Sequence, residues 1–101
     1  MAFIKVGKTS EVPDGTVKVY EVGDRAVAVC NVDGELFAID DVCTHDEASL
    51  DQGFLEGCEI ECPRHGARFD VTTGRATALP AVIPVDTFPV RVEGDDIELD
   101  V

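Results

Sequence analysis

The chain has 101 residues, with 21 acidic side chains against 8 basic ones and a formal net charge of −13. That length holds one domain with a modest core, without room for a nucleotide-binding half beside a catalytic half. The charge excludes nucleic acid and anionic membrane as partners, because both need a basic surface, and favours partners that carry basic patches.

Valine dominates the apolar set, at 15 residues against 5 Ile and 5 Leu. Side chains branched at Cβ fit a pleated, half-buried surface, and no segment keeps a helical period. The expected elements are therefore short strands broken by turns. Phe3 to Val6 is the first. Thr16 to Val22 alternates cleanly, turns at Gly23-Asp24, and continues as Arg25 to Cys30. Asp33-Gly34 is the strongest hairpin signal in the chain, and Glu35 to Asp40 is its return strand. At the far end, Phe88 to Val92 and Ile97 to Val101 flank the turn residues Glu93 to Asp96. The expected class is all-β, an antiparallel sandwich or barrel. The expected organisation is a single domain over residues 1–101.

Between Asp41 and about Pro84 the alternation weakens while Gly, Pro and Cys accumulate. Short strands are expected at Glu59–Glu61 and Arg68–Val71, with a turn at Thr72 to Arg75. This region, roughly 41–84, reads as a loop-rich subdomain held by something other than its own core. Met1 to Ser10 lacks the apolar run of a secretory signal, and no window approaches the roughly 18 to 20 apolar residues of a membrane span, so a cytoplasmic address is expected. In that compartment four cysteines point to metal or redox chemistry before disulfides.

The only two histidines each follow a cysteine closely: Cys43-Thr44-His45 and Cys62-Pro63-Arg64-His65. Each pair offers one soft thiolate and one imidazole from a tight loop, which Pro63 stiffens and Gly66 lets turn closely. Together they supply two sulfur and two nitrogen ligands, a set that suits zinc or an iron–sulfur cluster. Zinc fingers usually draw both cysteines from one knuckle and both histidines from another, whereas each knuckle here is mixed. Mixed knuckles suit a two-iron cluster with two Cys on one iron and two His on the other. The plant-type all-Cys spacing is absent.

The paired motif, with the following Gly66, Phe69-Asp70, Thr73-Gly74 and Leu79-Pro80-Ala81, resembles the Rieske [2Fe–2S] domain, and the likeness runs over essentially the whole chain. It is nearest to the free-standing Rieske ferredoxins of bacterial ring-hydroxylating oxygenases. The resemblance implies a Rieske fold with one [2Fe–2S] cluster per chain. It implies that Cys43 and Cys62 bind the inner iron, and that His45 and His65 bind the outer, redox-active iron with their far ring edges towards solvent. It further implies a soluble, monomeric one-electron carrier. That carrier would serve a flavin-dependent NAD(P)H reductase and a terminal oxygenase, and would transform no organic substrate itself. Two other readings remain open: a Rieske-like small subunit of a larger oxidoreductase, and a zinc-stabilised interaction module.

Departures from the family matter too. Rieske proteins of cytochrome complexes carry an extra cysteine in each loop, joined as a disulfide; the corresponding positions here are Ala48 and Arg64. Those relatives also place Ser and Tyr hydroxyls against the cluster sulfurs where this chain has Ala67 and Phe69, which cannot donate. Fewer donors and a net charge of −13 both disfavour the added electron, so the midpoint is expected at the low end of the range of roughly −150 to +300 mV. It should fall further at alkaline pH if ligand imidazoles lose their outer protons.

Cys30, on an alternating strand, is expected to be a small core residue, and Cys58 a packed thiol, since using Cys58 as a ligand would strand a histidine. Asp46, Glu47, Asp51, Glu56, Glu59 and Glu61 crowd the span between the ligand pairs, either as a solvated surface or as a docking rim. Arg64, Arg68 and Arg75 either pair with them or give the tip a mixed charge. Pro63, Leu79, Pro80 and Ala81 are expected to cover the site, and Asp70 to cap a turn.

Overall fold

The computed structural model describes residues 3–42, 50, 53–63, 66–79 and 83–101. Among them there is no α-helix; a 3₁₀ turn spans Thr9–Glu11. Eleven strands follow the chain: β1 Ile4–Lys8, β2 Val17–Val22, β3 Arg25–Val32, β4 Glu35–Asp40, β5 Phe54–Glu56, β6 Glu59–Glu61, β7 Arg68–Asp70, β8 Ala76–Ala78, β9 Thr87–Phe88, β10 Val90–Glu93 and β11 Asp96–Leu99. They form three antiparallel sheets, in the orders β1-β11-β10, β2-β3-β4-β9 and β5-β6-β7-β8.

The β2–β3–β4 meander is the part that the sequence alternation announced. Its tight turn at Asp33-Gly34 has positive φ at both residues, 53° and 91°, as a two-residue hairpin of matching twist requires. Asn31 braces that turn by accepting from the Gly34 N–H at 2.8 Å, while its amide donates to the Val12 carbonyl at 2.8 Å.

β3 is buried on both faces. Ala28 and Cys30 join one core with Ile39, Leu50, Ile60, Cys62, Ala67, Phe69, Val71 and Val85. Val27 and Val29 join the other, with Val12, Ala38, Ile97 and Leu99. The two-residue period of a strand sorts these side chains. The β2-β3-β4-β9 sheet is therefore the middle layer, with the β1-β11-β10 sheet on one side and the β5–β8 sheet on the other. A strand with both faces covered loses the polar half of its alternation, which is why Val27 to Cys30 is an unbroken apolar run.

Sequence alone missed three short strands, β5, β8 and β9. It also ended β3 two residues early and placed β1 one residue early at its start. Strands of two or three residues are too short to show a period.

Candidate metal centre

The β5–β8 sheet is inserted between β4 and β9, and both connections are pinned. The Asp40 N–H donates to the Asp86 carbonyl at 2.9 Å, and the Asp41 N–H to the Ala26 carbonyl at 3.0 Å. The chain is thus held to within two residues of Cys43. On the far side of that loop Leu50 is fully buried, in the same core as Cys62, Ala67 and Phe69, and its carbonyl accepts from the Gly53 N–H at 3.0 Å. Cys43, His45, Asp46, Glu47 and Ala48 lie outside the described residues, as do Asp51, Arg64, His65, Pro80 and Ala81.

Cys62 is the one expected ligand within them. Glu61 pairs with Arg68 in the β6–β7 ladder, and the ladder runs one rung further: the Cys62 N–H donates to the Ala67 carbonyl at 2.7 Å. The Gly66 N–H then donates to the Cys62 carbonyl at 3.2 Å, with Gly66 at φ 76°. The left-handed conformation at Gly66 closes the loop. Alternation along β6 puts Ile60 and Cys62 on the buried side, and Glu59 and Glu61 on the solvent side. The thiol therefore belongs to the inner side of the loop base, where a soft ligand is kept from water. Ala67 and Phe69, also fully buried, offer no hydroxyl there.

On the outer side, Arg68 meets three carboxylates. Its Nε donates to Glu61 at 3.0 Å, and Nη1 reaches Glu56 at 3.2 Å and Glu59 at 3.3 Å. The hydrogen bonds it donates to Glu56, then to Glu61 and Glu59, raise its pKa above the ordinary guanidinium value. This settles the role of Arg68 as pairing with the local acids. Asp70 caps its turn as expected, accepting from the Thr72 N–H at 2.8 Å and hydroxyl at 2.6 Å.

One expectation needs correction. Cys58 is exposed, not packed, because it sits with Gly57 in the two-residue turn between β5 and β6 and its side chain points outward. Cys62 lies four residues further along, roughly 13 Å in extended chain, too far for one iron. Pro63 and Leu79 occupy turns and are exposed, Leu79 at 77 %. Cys30 is the small core residue expected. Burial, and after it the Asp41 carboxylate, pushes its thiol up to about 12. Among the described residues no group of three or more His, Cys, Asp or Glu is placed to hold a metal ion.

The Rieske [2Fe-2S] domain is matched over residues 2–89. The chain belongs to the Rieske family. It is 43 % identical to the ferredoxin component of biphenyl 2,3-dioxygenase from Rhodococcus jostii (strain RHA1), over 99 % of this chain and 94 % of that one. The solved ferredoxin of carbazole 1,9a-dioxygenase from Nocardioides aromaticivorans IC177 superposes with a TM-score of 0.93 at 37 % identity, covering 98 % of this chain and 97 % of that one. A ferredoxin solved in complex with reduced oxygenase, in carbazole 1,9a-dioxygenase, gives a TM-score of 0.90 at 37 % identity over 96 % and 91 %. Rieske kinship implies a Rieske-type [2Fe–2S] cluster, and the soft sulfur donor at the buried base of the Cys62 loop fits one. The kinship supports electron transfer, not catalysis on an organic substrate.

Residues that spacing did not reveal are Leu50 and Gly53. Leu50 carries no motif. Pairing of Arg68 with the local acids was one of the two sequence readings; that a single guanidinium bonds Glu56, Glu59 and Glu61 together is seen only in the structure.

Proposed function

We propose that this chain is a one-electron carrier between a flavin-dependent NAD(P)H reductase and a terminal oxygenase. Cys43 and Cys62 hold the inner iron and His45 and His65 the outer one, within a cluster-binding subdomain at roughly 41–84 of a single domain. The observation that carries this is the Cys62–Ala67 rung, which buries a sulfur donor at the base of a loop whose next residue, Pro63, is exposed. The bound cluster supplies a reversible one-electron couple. The chain's own residues supply the rest. Leu50, Ala67 and Phe69 exclude water from the inner side of the loop, and two backbone hydrogen bonds fix the Cys62 carbonyl and N–H. The acid-rich surface steers basic partner faces into short-lived contact. The carrier works as a monomer in the cytoplasm. No described helix is long and apolar enough to cross a membrane.

Electron paramagnetic resonance after anaerobic dithionite reduction tests the reading. A rhombic signal with the low average g value of mixed Cys and His ligation is expected, and it should vanish in His45→Ala and His65→Ala. A colourless, silent protein that binds zinc would overturn the proposal. Copurification in a fixed ratio with a larger oxidoreductase would favour a bound subunit over a free carrier.

A further inference from the structure

One rung of the solvent face of the β5–β8 sheet reads Phe54, Glu61, Arg68, Ala78. The neighbouring rung reads Glu56, Glu59, Asp70. Three glutamates from one short hairpin thus face the same way and repel one another. Arg68 lies among them and bonds all three, with Nη2 to Glu61 at 2.8 Å and Nη1 to Glu56 and Glu59 at 3.2 and 3.3 Å. Among the described residues it is the only cation on these carboxylates. A flat guanidinium with five N–H donors can divide itself in this way, whereas the point charge of a lysine cannot.

The place of this clamp gives it meaning. Glu61 and Arg68 are the covalent neighbours of Cys62 and Ala67, whose hydrogen bond closes the loop. The clamp is one rung from the buried thiol, on the opposite face of the same sheet. That separation is of the order of the Debye length at 0.1 M salt, about 10 Å, and protein fills much of the path. The charges are close enough to act on an electron arriving beside Cys62.

We propose that Arg68 is a positioning and charge-compensating residue for the redox centre. It neutralises one of three carboxylates' worth of negative charge, keeps the reduction potential from falling further, and ties β5, β6 and β7 beneath the Cys62 loop. The inference rests on the reading that Cys62 is a cluster ligand.

The test is film voltammetry of cluster-loaded protein at low salt and at about 1 M, where the Debye length shrinks to about 3 Å. Three variants are compared with wild type. Arg68→Gln removes the cation, so its midpoint shifts down, and the gap to wild type narrows at high salt. Glu59→Gln removes one anion, so its midpoint shifts up. Arg68→Lys keeps the charge without the fork, so it restores most of the midpoint but melts at a lower temperature. Opposite shifts in Arg68→Gln and Glu59→Gln support the proposal, since loosening of the loop would move both the same way. If Arg68→Gln does not fold, the sign in Glu59→Gln decides alone. An unchanged or lowered midpoint there overturns the proposal. A wild-type protein without the Rieske resonance signal would instead overturn the ligand reading beneath it.

Discussion

Replacing Gly53 by alanine should damage the site from a distance, through backbone alone. Gly53 immediately precedes β5 and lies against the end of β6, one residue before Cys62 in the partner strand. A Cβ there would fall inside the radius of the Glu61 carbonyl oxygen, 2.9 Å from its carbon and 3.3 Å from the Leu50 carbonyl oxygen. All three obstacles are main chain, so no side chain can swing away. Restoring ordinary contact requires β5 and β6 to part by about 1 Å or more. That opens the Phe54–Glu61 rung and the Gly53–Leu50 hydrogen bond. Two or three lost hydrogen bonds at about 1 kcal/mol each give about 2 to 3 kcal/mol. The stiffer unfolded chain returns about 0.4 to 1 kcal/mol, leaving about 1 to 2.6 kcal/mol. At about 4 to 8 °C per kcal/mol for a domain of this size, the melt should drop by about 4 to 20 °C. Gly57→Ala, in the turn of the same hairpin, is the control. Gly57 has φ 59° but open space around it. It should cost only the left-handed penalty of about 1 to 2 kcal/mol, less the same entropic return. Thermal melts followed by circular dichroism, with iron counted per chain, make the comparison. Gly57→Ala proving as costly as Gly53→Ala would refute the close-approach reasoning.

Three further outcomes are expected. Ala67→Ser with Phe69→Tyr adds two hydroxyl donors at buried positions beside Cys62 and should raise the midpoint; voltammetry of a folded double variant showing no rise would count against sulfur hydrogen bonding there. Iodoacetamide should label exposed Cys58 in the native protein but reach Cys30 only in denaturant, since that thiol is buried and pushed up to about 12; peptide mass spectrometry reads both sites. The Tyr20 hydroxyl donates to Glu11 at 2.7 Å, and this bond holds the Glu11 carboxyl below its ordinary 4.5. A depressed carboxyl stabilises the fold above its unfolded pKa and loses that contribution as pH falls through the folded one. The urea-midpoint gap between wild type and Tyr20→Phe should therefore be full at neutral pH and shrink below 4.5.

Much of this was legible because two signals are strong in short windows. Alternation of branched side chains marked β2, β3, β4, β10 and β11, and Asp33-Gly34 marked its hairpin with the backbone that the structure shows. The ligand set was an expectation from chemistry, since each of the two histidines follows a cysteine closely, and Cys62 is its one member among the described residues. What stayed hidden depends on tertiary placement. Phe54 is 69 % exposed, so an aromatic that suggests a core marks an edge strand instead. Cys58 looked packable because its spacing to Cys62 was visible and the turn that carries it was not. Leu50 has no neighbours in sequence that foretell its complete burial. The antiparallel all-β class was legible, whereas the division into three sheets with β3 buried on both faces was not.

The β4 and β9 strands lie side by side, with Ala38 opposite Phe88 and Ile39 opposite Thr87. Everything between residues 41 and 86 therefore leaves the body and returns to it at adjoining points, one strand spacing of about 5 Å apart. The excursion also shares one core with β3 and β4, through Ala28, Cys30 and Ile39, so any sheet that receives it must offer a matching apolar face as well as adjoining strand ends. Its loop-closure entropy is settled by whatever sheet receives it, and each doubling of its length would cost only about 0.6 kcal/mol more. An engineer could exchange the redox tip while keeping the body, and a lineage could do the same by recombination.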